Sequence, residues 1–234
     1  NMFKKFLKIF NRKKPSYLNS FQVLKDDPGI ILLFNSINNH TNESEILFVG
    51  GCVRQNILGE KVEDIDLATT LDPDEVINCL NKNKIKFIDI GKKYGTITAI
   101  IDKQKFEITS LRKDIKTDGR HAEVQYCKSW KNDANRRDFT FNSIYSNLNG
   151  ELFDPFNGRD DLLNGYVKFI GNPKNRIKED YLRILRYIRF FLIYSKNNHP
   201  EEIKKIIKQN INGINKISND RLLSELKKIL LSKG

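Results

Sequence analysis

Cysteine is scarce: Cys52, Cys79 and Cys127 are scattered, with no C-x-x-C spacing among them. That argues against a disulfide framework or a thiolate zinc site and fits a reducing, cytoplasmic setting. Histidine is as thin, and His40, His121 and His199 form no ligand cluster. No apolar run approaches the length of a membrane span, so stable membrane association is not expected. Acidic residues are outnumbered, with 29 Asp and Glu against 41 Lys and Arg, a formal charge of +12 on 234 residues. This surplus favours a polyanionic partner, either nucleic acid or an acidic membrane surface. Crowding with Lys, Asn and Ile also fits biased codon usage, so charge alone does not fix the partner. What is present, 39% hydrophobic and 30% charged residues, suits a soluble globular chain of one large or two small domains.

The chain is organised around Phe48-Val49-Gly50-Gly51-Cys52-Val53-Arg54 and the Asp64-Ile65-Asp66 that follows. Residues 46–49 are apolar, β-branched and too few for a helix, so they predict a buried strand. At Gly50 and Gly51 no side chain keeps a ligand from the backbone. A helix over 53–58 would turn its first N–H groups, joined by Arg54, towards that gap, an arrangement suited to phosphate. Asp-Ile-Asp-Leu-Ala predicts a second strand whose period of two sets Asp64 and Asp66 on one face. Two adjacent carboxylates repel unless a cation lies between them, and hard oxygen donors suit magnesium. A Gly-Gly turn alone is usually only a turn, and an isolated Asp-x-Asp is usually solvated surface. Their ordered combination is the layout of a metal-dependent phosphoryl or nucleotidyl transfer site.

With those motifs in hand, the chain from about Asp26 onward resembles the class II tRNA nucleotidyltransferases and bacterial poly(A) polymerases. Gly50-Gly51-Cys52-Val53-Arg54 with Asp64-Ile65-Asp66 corresponds to the first family motif, although Gln55 stands where the family usually has an acid. Arg136-Arg137-Asp138-Phe139-Thr140 resembles the second motif and is read as opening a helix. The resemblance implies that Arg137 reaches the triphosphate and Asp138 the ribose hydroxyl. Asp154-Pro155-Phe156-Asn157-Gly158 resembles the third motif, a hinge, with Asn157 in place of a usual Gly. Glu107 is either a third metal carboxylate, as polymerase-beta-type enzymes often use, or an exposed cross-strand partner.

Residues 176–195 carry helical spacing, with Asp180, Arg183, Arg186 and Arg189 recurring every third residue. The simple reading is an Asp180–Arg183 surface salt bridge. The functional one is base reading: a carboxylate accepts from an exocyclic amine while a guanidinium donates to ring acceptors. Cytosine and adenine offer that edge, whereas uracil and guanine place a carbonyl against the acid. Glu179-Asp180 with Arg183 resembles the fourth motif, which selects CTP and ATP without a template. Arg186 and Arg189 are then expected further along, towards phosphates or the RNA end. Ile217-Ser218-Asn219-Asp220-Arg221 with Glu225 resembles the fifth, a structural helix-turn.

Helices are expected over about 24–39, 71–81, 200–209 and 218–231, a hairpin of strands over 96–101 and 106–110, and a loop over 113–125. The expected fold is α+β: a basic arm (1–21), a polymerase-beta-like head with a small mixed sheet (22–155), and an all-helical neck (156–234). The family's body and tail domains are not found, so a truncated or unusually short protein is expected. The resemblance implies addition of C and A to the tRNA 3′ end from CTP and ATP with two Mg2+ ions. The alternatives are a poly(A) polymerase and an idle RNA-binding module.

Overall fold

A computed structural model describes residues 24–62, 64–117 and 122–232. The expected basic arm lies outside the described residues. Helix α1 (Pro28–Asn38) starts where Asp27 accepts the Ile30 N–H at 3.0 Å and Pro28 takes the first helical position. It buries Ile30, Leu33, Phe34 and Ile37. Strand β1 (Ile46–Val49) is buried along its whole length. Helix α2 (Gly51–Leu58) follows at once and stops at Gly59, whose φ of 72° is left-handed. Strand β2 (Asp66–Thr69) leads to helix α3 (Pro73–Lys82), which opens on a reciprocal capping box between Asp72 and Glu75.

Strands β3 (Lys86–Ile88), β4 (Thr96–Ile101) and β5 (Gln104–Ser110) come next, then β6 (Arg112–Thr117) and β7 (Ala122–Tyr126). Helix α4 (Trp130–Arg136) precedes the short strands β8 (Tyr145–Ser146) and β9 (Leu152–Phe153). The larger sheet has the order β3-β4-β5-β2-β1-β8-β9 and is mixed, because β2 and β5 run parallel while its other pairs are antiparallel. After Phe153 the regular structure is helical: α5 (Gly158–Leu163), α6 (Pro173–Glu179), α7 (Leu182–Tyr194), α8 (Glu201–Asn210) and α9 (Asn219–Leu231), with a 3-10 turn before α9.

Four expectations are corrected. The strand expected from Asp64 begins at Asp66, because β1 pairs only from Ile46↔Thr69 to Phe48↔Leu67 before the chain turns at Gly50. No strand of this pair lies opposite Asp64, which sits in an exposed bend. The expected loop over 113–125 is an antiparallel hairpin of β6 and β7, with the register shifting between Asp114 and Lys116. Arg136 closes a helix capped by Ser129 rather than opening one, and Arg137 is already extended. The helix expected from Arg176 to Ser195 is broken at Asp180, whose backbone is extended at φ −153° and ψ 106°.

One hydrophobic cluster joins Phe34, Phe48 and Phe106 around the sheet to Phe139, Phe141, Tyr187 and Phe190. Phe139 and Phe141 meet the Phe190 ring edge-on, with centroids 5.4 and 5.3 Å away. Each buried ring of this kind contributes about 1.5–3 kcal/mol through the area it removes from water. Helix α7 is therefore held to the 139–143 segment by close-packed rings.

Candidate active site

Gly50 has φ 73° and ψ −123°, a conformation that L side chains rarely adopt. A Cβ built there would lie 3.5 Å from Asp66 Oδ2, and one at Gly51 would lie 3.9 Å from the same atom. The Asp66 carboxylate thus overhangs the glycine bend. Helix α2 starts at that bend, so its first-turn N–H groups lack intrahelical acceptors.

Asp66 and Glu107 are register partners on the parallel strands β2 and β5, which sets them side by side. Burial pushes the Asp66 carboxyl above its usual pKa, and the charges of Glu107 and Asp64 push the same way. Arg137 and Arg54 oppose the shift without cancelling it. Among the described residues no group of three or more His, Cys, Asp or Glu could hold a metal ion. The donor set still fits magnesium, which typically takes one or two protein carboxylates and completes its shell with phosphate oxygens and water. Asp66 and Asp64 are the residues able to hold such an ion, and the mutual repulsion of the acids is what a cation would relieve.

Behind this pair lies a buried ionic knot. Asp133, 1% exposed, takes Arg136 Nε at 2.8 Å, Arg137 Nη2 at 3.0 Å and the Tyr145 hydroxyl at 2.6 Å. Burial alone would raise the Asp133 pKa, but the two guanidiniums and the phenol hold it well below the usual carboxylate range. Arg137 is therefore anchored on Asp133, and its charge is still felt at Asp66. Asp138 is also buried: Asn142 Nδ2 donates to Oδ1 at 2.7 Å and Arg186 Nε donates to Oδ2 at 2.6 Å. Its pKa is likewise lowered, because these donors outweigh the cost of burial.

Three of the expected arginines have protein partners in this structure. Arg54 reaches across to the 140–143 segment and α7: its Nη1 donates to Asn142, its Nε lies 3.4 Å from the Tyr194 hydroxyl, and its guanidinium sits 5.1 Å from the Phe190 ring centre. Arg186 is tied to Asp138, and Arg189 donates to Glu225 at 2.6 Å while lying 4.1 Å over the Phe190 ring. In this structure these partners hold the three guanidiniums, while the charge of Arg54 still acts on Asp66 beside the glycine bend. The anticipated Asp180–Arg183 salt bridge also does not form. Arg183 donates to Glu179 Oε2 and to the Arg176 carbonyl, each at 2.7 Å, and Asp180 pairs with Arg221 at 2.7 Å. Asp133, Asn142, Tyr145, Arg176 and Tyr194 were not foreseen: Asn142 and Tyr194 meet Arg54 across 88 and 140 residues and Arg176 reaches the Arg136 and Arg137 carbonyls across about 40, while Asp133 and Tyr145 act close in sequence but carry no motif of their own. An isolated Asp before the Arg-Arg pair was the one visible hint.

A mixed sheet that sets one carboxylate over a glycine bend and a second on the next strand defines a polymerase-beta-like nucleotidyltransferase head. The family model for the Poly A polymerase head domain matches residues 46–168, and the chain belongs to that family. Human CCA tRNA nucleotidyltransferase 1, mitochondrial, is 46% identical over 190 residues, 80% of this chain and 44% of that protein. The CCA-adding enzyme of Staphylococcus epidermidis is 36% identical over 191 residues, 79% of this chain and 45% of the relative. The chain thus spans about half the length of the curated relatives it matches. Among solved structures, the Bacillus stearothermophilus CCA-adding enzyme in complex with CTP superposes with a TM-score of 0.75 at 29% identity. That match covers 93% of this chain and 49% of the other. The Thermotoga maritima CCA-adding enzyme complexed with tRNA_CCA gives 0.67 at 26% identity over 93% of this chain and 51% of that one.

Proposed function

We propose that the chain carries the catalytic part of a tRNA nucleotidyltransferase, adding C and A to the tRNA 3′ end from CTP and ATP. The observation that carries the reading is the Asp66 carboxylate poised over the Gly50-Gly51 bend beside Glu107. The CTP and tRNA named with its structural relatives support the choice of substrates. The RNA 3′-hydroxyl attacks the α-phosphate of the nucleotide, a new phosphodiester forms, and pyrophosphate leaves with the bond to the β-phosphate. The backbone at Gly50 and Gly51 lets the triphosphate approach closely. Arg137 supplies positive charge beside it, Asp138 accepts from the ribose, and Asp180 with Arg183 reads the base. Two magnesium ions, when bound at Asp64 and Asp66, supply charge neutralisation for the triphosphate and a lower pKa for the attacking hydroxyl.

On this reading residues 22–155 form the head and 156–234 the neck. The free thiols of Cys52, Cys79 and Cys127 support a reducing compartment such as the cytoplasm. Among the described residues no helix is long and apolar enough to cross a membrane. Incubation with labelled CTP or ATP and a tRNA lacking its 3′ end tests the proposal, with incorporation expected from the chain and none from Asp66→Asn. Binding of RNA without release of pyrophosphate would instead mark an idle module. The family model's own description favours poly(A) synthesis as the second reading, and equal A addition to an unstructured RNA would select it.

A further inference from the structure

The base-reading carboxylate is held from two sides. Asp180 lies in the extended break between α6 and α7, where no helical backbone fixes its direction. Its Oδ1 accepts the Leu182 N–H at 3.1 Å, and its Oδ2 accepts Arg221 Nη2 at 2.7 Å. Arg221 belongs to the first turn of α9, and Glu225 follows it by one turn on the same face. Glu225 is almost fully buried, takes Arg189 Nε at 2.6 Å and lies 3.9 Å from Arg186 Nη1. Helix α9 is therefore pinned to α7 through Glu225 and offers Arg221 to Asp180. Because Arg186 also holds Asp138, one chain of charges runs from Asp138 through Arg186 and Glu225 to the helix that carries Arg221.

We propose that Arg221 is a positioning residue for base selection, fixing the plane of the Asp180 carboxylate so that its open lone pairs meet an exocyclic amine. The inference rests on the function proposed above. Each carboxylate oxygen can accept at two sites, so the Leu182 and Arg221 contacts leave capacity for a donor on the base. A fixed acceptor rejects a uracil or guanine carbonyl because it cannot turn away from it. A carboxylate freed from Arg221 can rotate, which weakens the wanted hydrogen bond and relieves the unwanted repulsion together. The loss then falls on selectivity and leaves the transfer step intact.

Titration calorimetry of CTP, ATP, UTP and GTP into the full chain tests this, beside single-nucleotide incorporation. In Arg221→Ala the Kd for CTP and ATP should rise about three- to fivefold, the scale of a part-exposed charged contact. The Kd for UTP and GTP should fall or hold, kcat at saturating CTP should stay at the wild-type value, and the melting temperature should be kept. Arg221→Lys should recover part of both the affinity and the CTP-over-UTP ratio, since Arg221 holds Oδ2 through an Nη2 contact that an ammonium can also supply. An unchanged CTP-over-UTP ratio in Arg221→Ala, or equal weakening of all four nucleotides, overturns the assignment. If the wild-type chain shows no preference for CTP over UTP, base reading by Asp180 itself fails and the tether falls with it.

Discussion

Arg186 and Asp138 stand 48 residues apart in sequence and meet at 2.6 Å, Nε donating to Oδ2, on the seam between α7 and the extended segment after α4. The Asp138 side chain is 9% exposed and that of Arg186 29%. Among the described residues, removing the cation leaves the buried carboxylate with Asn142 and the Phe139 N–H as its donors. Arg186→Met should therefore lower the unfolding free energy by about 3 kcal/mol, the lower end of the roughly 3–5 kcal/mol for breaking a buried pair from one side, because Arg186 keeps 29% exposure. Urea denaturation followed by circular dichroism measures it, and a loss below the error of the titration would rule the pair out as a stabiliser.

The same physics sets the acid limb of stability. Asp133 and Asp138 both ionise below the ordinary carboxylate value in the folded chain, because guanidinium and hydroxyl or amide donors outweigh burial. Their contribution is complete above the unfolded pKa, near pH 4, and is withdrawn as pH falls through the lowered folded values. Melting temperature should hold from neutrality down to about pH 4 as far as these two acids set it, and drop below. Asp133→Asn should be less stable at pH 7 and show a flatter acid limb; a parallel, merely displaced curve would contradict the assignment.

Asp66 has the opposite sign. Its folded pKa is raised, first by burial and then by Glu107, so the ionised form costs stability as pH rises through that value. Without divalent cations, Asp66→Asn should melt higher than wild type at pH 7, and the gap should close on acidification below the ordinary carboxylate range. Magnesium should raise the melting temperature of the wild type and leave that of the variant nearly unchanged. A variant that melts lower than wild type under metal-free conditions would mean the acids are not in conflict.

Much of the frame was legible because it is local. The Asp72/Glu75 capping box, the Pro28 start behind Asp27 and the β-branched run before Gly50 each announce their element within a few residues. The β6–β7 hairpin was not legible, since the sequence of Arg112–Thr117 alternates no apolar residues and its form shows only in the pairing with β7. The helix break at Asp180 contains neither Gly nor Pro, and its cause is a short side chain capping the Leu182 N–H. Within the site, the order of Gly50, Gly51 and Asp66 gave the right neighbours. The destinations of Arg54, Arg186 and Arg189 depended on Asn142, Asp138 and Glu225, partners that lie 36 to 88 residues away.

The two adjacent glycines should respond differently to the same added methyl group. Gly50 needs its positive φ, whereas Gly51 has none and stands at the start of α2. Gly50→Ala should lose about 1–3 kcal/mol of stability from backbone strain alone, since its Cβ would meet Asp66 Oδ2 at an ordinary 3.5 Å. Gly51→Ala meets only ordinary contact at 3.9 Å and should fold as well as wild type or slightly better, since Ala suits a helix. Its methyl group nonetheless occupies the space through which a triphosphate would approach the backbone, so nucleotide affinity should fall while the melting temperature holds. Thermal melts paired with CTP titration separate the two effects. If Gly51→Ala binds CTP as tightly as wild type, the triphosphate does not lie against this bend, and the carboxylate over it has some other partner.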